Sequence, residues 1–158
     1  MTIVTTCVDA RVYGMTANAF MSGSLHPPLV VVSIGQHTRF HEQLATSRLL
    51  GISVLGVEQE HHSRHFSGRT CQPVVPQFEF HDGVPVVANA LATVATIIVA
   101  RHPCGDHTLF IGRDQHVTYR DGSPLRFFKG SYRELAGAAT TSNAASEQWD
   151  PDWQGSWW

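Results

Sequence analysis

Lysine is nearly absent from this 158-residue chain: Lys129 stands alone against ten arginines. No block of basic residues exists, so the electrostatic footprint of a nucleic-acid-binding surface is missing. No amphipathic basic helix of the kind that lies on membranes is present either. No apolar run approaches the roughly 18 residues of a membrane span. The longest, Leu91–Ala100, has the length of a strand. A charged start followed by an apolar stretch is lacking, so no secretory signal is read and a cytoplasmic protein is expected. Cysteine is scarce: Cys7, Cys71 and Cys104 are odd in number and form no CxxC pair. That argues against a disulfide framework or a zinc ribbon and fits free thiols. No GxSxG elbow, GxxxxGK[ST] loop or GxGxxG fingerprint occurs, which removes the corresponding hydrolase, P-loop and Rossmann readings.

What is present suits one ordinary globular domain, with 42% hydrophobic and 15% charged residues. The net charge of −2 is unevenly placed. Residues 136–158 hold Glu147, Asp150 and Asp152 and no base, and all four tryptophans (Trp149, Trp153, Trp157, Trp158). From Ala136 the composition turns to Ala, Thr, Ser and Asn. The expected organisation is a domain over 1–135 followed by a Trp-rich tail over 136–158.

Thr2–Val8 is almost entirely β-branched and reads as a strand. Asp9–Gly14 turns the chain, and Met15–Phe20 reads as a second strand or an extended loop. His26-Pro27-Pro28 interrupts, because proline lacks an N–H and restrains its neighbour. Leu29–Ile34 is a continuous apolar run typical of a buried strand. Thr38 is a plausible helix N-cap, with Phe40 and Leu44 on one face of a helix closed by Gly51. Ile52–Val57 reads as a strand, Glu58–Phe66 as a short polar helix closed by Gly68, and Cys71–Phe80 as loop. Leu91–Ala100, His107–Tyr119 and Pro124–Tyr132 complete the strands. Short turns rather than crossover helices join them, so the fold expected is mainly β, an antiparallel barrel with one or two short helices.

Ten histidines invite a metal reading. His37 and His41 are four apart, as are His61 and His65, a helical spacing that a metal site can use. Yet position 45 is Ala, so no HExxH motif forms, and the His61 group needs a third ligand from elsewhere. Solvated surface histidines explain the pattern without a metal.

Three runs at strand ends carry hydrogen-bonding and small residues. In the first, from Gly14 to Ser22, small residues let a flat ring approach the backbone. Thr16 and Asn18 offer polar contacts there, and Met15 and Phe20 apolar ones. The second, Ser33-Ile34-Gly35-Gln36-His37-Thr38-Arg39, opens a helix and suits a phosphate; a capped helix with a solvated arginine accounts for it equally. In the third, Gly105–Gly112, a turn leads into a strand and His107 can meet a ligand. Asp106 bonding its own backbone is the alternative.

Taken in order, these runs resemble the short-chain flavin reductase family, the reductase partners of two-component flavin-dependent monooxygenases. The matching segments are Thr2–Thr6, GMTANAFMSGSLHPPLVVVSIG at 14–35, HFSG at 65–68, GDHTLFIG at 105–112 and PLRFFKGSYREL at 124–135. The resemblance implies an FMN-binding split β-barrel, usually a homodimer, that binds FMN or FAD and uses NADH or NADPH. It implies that Met15, Thr16, Ala17 and Asn18 approach the flavin ring. Ser33 and the Gln36, His37, Thr38 and Arg39 stretch would serve its ribityl and phosphate groups, and Phe66, Ser67 and Gly68 its tail. His107, as the catalytic residue, and Tyr132 would border the nicotinamide. Reduced flavin would pass by diffusion to a monooxygenase. The alternatives are a tightly bound flavoprotein oxidase or oxygenase, and a non-enzymatic flavin- or haem-binding barrel.

Three features depart from the family pattern. Met1 stands almost on the first strand, where relatives carry a helix of some twenty residues. The strand at 91–99 has Thr93, Ala95 and Thr96 where an acidic residue is often found. The tail carries Trp149, Trp153 and Trp157 at a spacing of four, and its indoles are expected to pack on the barrel or on a dimer mate, in the space that helix would fill.

Overall fold

The computed structural model describes residues 1–68 and 75–133. The Trp-rich tail and Cys71 lie outside the described residues. The strands are β1 (Thr2–Val8), β2 (Arg11–Ala17), β3 (Phe20–Leu25), β4 (Pro28–Gly35), β5 (Leu49–Val54), β6 (Phe78–His81), β7 (Val84–Val87), β8 (Ala92–Cys104), β9 (His107–Tyr119), β10 (Arg126–Phe128) and β11 (Ser131–Arg133). Two helices, α1 (Arg39–Thr46) and α2 (Glu60–Phe66), join them, the second preceded by the 3₁₀ turn Val57–Gln59.

Seven strands form one antiparallel sheet in the order β2-β1-β5-β8-β9-β4-β3. Its inward residues, among them Val4, Val32, Ile34, Leu50, Ile52, Val94, Ile98 and Phe110, share one buried cluster. A single core served by all these strands means the sheet curls round it. The terminal strands β2 and β3 stay unpaired with each other, so the barrel is split along one seam. Helix α1 adds Phe40 and Leu44 to the core. Their spacing of four puts both on one helix face. Its start is capped as expected, the Thr38 hydroxyl accepting from His41 N–H at 3.1 Å.

The β6–β7 hairpin covers the outer face of β1 and β5. The Thr5 hydroxyl donates to the Pro85 carbonyl and Val87 N–H donates to Ser53 Oγ at 2.9 Å. Gly51 passes directly beneath Pro85, whose carbonyl oxygen occupies the space a Cβ would need. A second, smaller core of Ile3, Leu55, Val87 and Leu125 forms under this side, with Phe66, Phe78 and Tyr132 packed against it.

The structure shifts several sequence-based boundaries. The first turn is only Asp9-Ala10, both at positive φ, and β2 begins at Arg11, so the Gly14–Ser22 run spans two strands. The helix from Thr38 stops at Thr46, and Leu49-Leu50 already belong to β5, where Leu50 is fully buried. The end of the expected loop 71–80 is strand β6. It turns through Asp82-Gly83, with φ of 49° and 81°, the backbone of a two-residue hairpin.

A bulge in β9 sets Asp114 opposite Thr96 and His116 opposite Ala95, with Gln115 as the extra residue. Asp114 Oδ1 is buried there without a hydrogen-bond partner, and burial raises its carboxyl above the ordinary range. A carboxyl that binds its proton more tightly when folded loses stability as pH rises through its titration range. Asp114→Asn is therefore expected to raise the thermal midpoint at pH 7. The gain should shrink as pH falls toward 4; a gain independent of pH would refute the assignment.

Candidate functional site along the free edge of β2

Strand β2 ends the sheet, so the backbone polar groups on its outer side have no ladder partner. Its side chains alternate. Tyr13 and Met15 pack on the barrel core, while Thr16 turns toward α2, its hydroxyl donating to the Ser63 carbonyl at 2.8 Å. Gly14 leaves room for the Phe66 ring, which would stand 2.6 Å from a Cβ at that position. Ala17 is buried, paired with Thr2 of β1, and its carbonyl accepts from the Thr2 hydroxyl. Asn18 and Ala19 then turn the corner into β3, and the Ala19 carbonyl accepts from Ser33 N–H at 3.0 Å.

A cleft of about 340 Å³ opens on this edge, lined by Met15, Thr16, Asn18, Phe66, Ser67 and Tyr132, with Met1 and Phe127. Tyr132 reaches it from β11. Its hydroxyl donates to Ser63 Oγ at 2.9 Å, Arg64 lies 4.8 Å over its ring, and Phe127 meets it edge-on at 5.1 Å. Arg64 is held in turn by Glu60 one helical turn earlier. A neighbouring cleft of about 410 Å³ continues along β2, between Arg11, Tyr13 and Gly14 and the α1 residues Arg39, Phe40, Glu42 and Gln43. Both volumes lie in the range of small-molecule sites, about 300–1,000 Å³.

A second group gathers at the ends of β4 and β9. Gly35 pairs with His107. Gln36 binds this turn twice, its N–H donating to the Asp106 carbonyl at 2.9 Å and its amide to the His107 carbonyl at 3.1 Å. The half-exposed His107 ring meets Asp106 Oδ1 at 2.7 Å. That hydrogen bond, then the nearby charges of His107 and His37, hold the Asp106 carboxyl below its usual range. The Thr38 hydroxyl serves the α1 cap and donates to the Gly35 carbonyl. Ser33 stands between the two groups, beside Ala19, Phe20 and Leu109.

The structure thus brings Met15, Thr16, Asn18, Phe66, Ser67 and Tyr132 into one cleft. It gathers Gln36, Thr38 and His107 about Gly35, with Asp106 in reach of His37, and puts Arg39 on the adjoining cleft. Gly68 follows Ser67 at a φ of 70°, closing α2. Among the described residues no group of three His, Cys, Asp or Glu is placed to hold a metal ion. The His61 and His62 rings lie 4.0 Å apart, tilted by 46°, and burial, then the charges of His61 and His65, lower the His62 ring below its usual range. Phe127 and Ser63 were missed in the sequence. Phe127 sits in a segment quoted only for its resemblance, and Ser63 is a lone small residue in a histidine-rich helix.

Aromatic and thioether walls, a polar rim and unpaired backbone groups suit a planar heteroaromatic ring with a hydrogen-bonding edge. Among the described residues no strong acid–base dyad lines the cleft, which fits chemistry carried by cofactors rather than side chains. The chain belongs to the flavin reductase like domain family, whose model matches residues 1–136. It is 46% identical over 138 residues to an NADH-dependent flavin reductase of Rhodococcus sp, covering 85% of this chain and 78% of that one. It is 33% identical over 136 residues to the reductase component of a 4-hydroxyphenylacetate 3-monooxygenase of Thermus thermophilus, covering 85% and 87%. A flavin reductase solved in its native state superposes with a TM-score of 0.83 at 42% identity, over 86% of this chain and 89% of the other.

Proposed function

We propose that this chain is an NADH-dependent flavin reductase that supplies reduced flavin to a partner monooxygenase. The observation that carries the reading is the cleft on the free edge of β2, flat-walled and rimmed by Thr16, Asn18 and Ser67. The nicotinamide and the flavin supply the hydride donor and acceptor when bound. The protein's part is to hold the two rings in contact and keep water from between them. Met15 and Phe66 give apolar contact to the flavin ring. The backbone around Ala17 and the Asn18 side chain serve its polar edge, where such groups favour the reduced, anionic form. Arg39, Gln36 and His37 serve the phosphate arm, and His107 and Tyr132 border the nicotinamide. The names of the Rhodococcus and Thermus relatives support NADH and the monooxygenase partner.

Purified protein is expected to oxidise NADH rapidly when FMN or FAD is added, followed at 340 nm. A retained yellow chromophore without turnover would favour a bound-flavin oxidase, and a Soret band a haem-binding barrel. Residues 1–135 are proposed to suffice as the reductase domain.

The same reading includes a homodimer. Met21, Val31 and Ile111 lie side by side across β3, β4 and β9 on the outer face, and Leu109 adjoins them. Met21 is 60% exposed, and such an apolar row on a sheet favours burial by a second copy. Light scattering should give about twice the chain mass of 17.4 kDa. Met21→Glu should return the chain to a monomer; a monomeric wild type would refute the dimer.

A further inference from the structure

We infer that Ser63 is a positioning residue for the proposed reaction, fixing the wall of the nicotinamide side through Tyr132. The inference rests on the reductase reading. Ser63 is fully buried, in a helix whose other residues are polar or charged apart from Phe66 at its end. Its two oxygen atoms tie three elements together. Its hydroxyl accepts from the Tyr132 phenol of β11 at 2.9 Å, and its carbonyl accepts from the Thr16 hydroxyl of β2 at 2.8 Å. The same carbonyl closes α2 by accepting from Ser67 N–H at 3.1 Å. Arg64, the next residue, covers the Tyr132 ring. Tyr132 is thus held at its hydroxyl and on its face by consecutive residues of α2. With its proton given to Ser63, the phenol is set as a fixed wall rather than a proton donor to a ligand.

The two branches leave Ser63 through different atoms, which makes them separable. Ser63→Ala removes the hydroxyl branch to Tyr132 and keeps the carbonyl branch to Thr16. Ser63→Ala and Tyr132→Phe are each expected to raise the KM for NADH about fivefold, the scale of one hydrogen bond. Flavin affinity, read by fluorescence quenching, should stay within about twofold. Because both substitutions cut the same bond, the double variant should be no worse than either single one.

A second readout needs neither turnover nor ligand. In protein labelled with ¹³C-tyrosine, Ser63→Ala should move the Tyr132 ring resonance, which Tyr132→Phe identifies by its loss. Unchanged KM values, effects that multiply in the double variant, or an unmoved Tyr132 resonance would each overturn the inference. A wild type that oxidises no NADH in the presence of flavin would instead defeat the reductase reading, while the resonance would still decide whether Ser63 holds Tyr132.

Discussion

Phe110→Ala is expected to lower the unfolding free energy by about 3–5 kcal/mol, the range for deleting a buried aromatic ring. Phe110 is 1% exposed, in the middle of β9, where it pairs with Val32 on one side and Arg101 on the other. Every strand around it is anchored in the ladder, so the sheet cannot collapse into the space left. The ring also meets His41 edge-on at 5.6 Å, with the Arg101 guanidinium 5.8 Å from its centre. His41 in turn bonds Thr108 at 2.9 Å, so the loss should loosen the start of α1 as well. Urea unfolding of the variant and of Phe110→Leu, which keeps more of the volume, measures this. A cost below about 2 kcal/mol for alanine would contradict a tightly packed site.

Gly14→Ala should weaken flavin binding about tenfold, by forcing Phe66 out of its place. On most edge strands alanine in place of glycine is tolerated or stabilising, because it reduces the freedom of the unfolded chain. Here the new Cβ would stand 2.6 Å and 2.9 Å from two atoms of the Phe66 ring. That ring has little room to retreat, since His65 and Phe78 meet it edge-on at 5.0 Å and 6.3 Å. Overpacking of this kind costs about 1–3 kcal/mol. Fluorescence titration with FMN or FAD, beside a melting curve, separates the two effects. Unchanged affinity would show that Phe66 does not form a wall of the flavin site.

The parts legible in the sequence were those with a local cause. The β-branched run of β1 and the apolar run of β4 declare themselves, and Thr38 caps α1 as its residue type suggests. Leu49 misled because it follows α1 at a spacing the helix periodicity loosely tolerates, and only pairing with β8 makes Leu49 and Leu50 strand. Strand β3 carries Met-Ser-Gly-Ser, with a register shift between Ser22 and Ser24, and offers no alternation to read. The β6–β7 hairpin had a turn signal in Asp82-Gly83, but Pro73 and Pro76 made 71–80 read as loop. The site followed the same rule. Thr16, Ser33 and His107 were read from segment patterns and the family resemblance. The meeting of Thr16, Ser63 and Tyr132 joins residues up to 116 positions apart, which no local pattern encodes.

The seam between β2 and β3 has a consequence for handling the protein. A row of unsatisfied amides and carbonyls on a terminal strand is a template for any other extended chain, and proteins generally cover or charge such edges. On β2 the row lies beside the cleft proposed for the flavin. Keeping the edge open for a ligand leaves it open to self-association, so occupancy and colloidal behaviour are linked through one strand. On the proposed function, flavin bound in this cleft is expected to block fibril-like pairing, so light scattering should show slower aggregation with FMN in the buffer than without it.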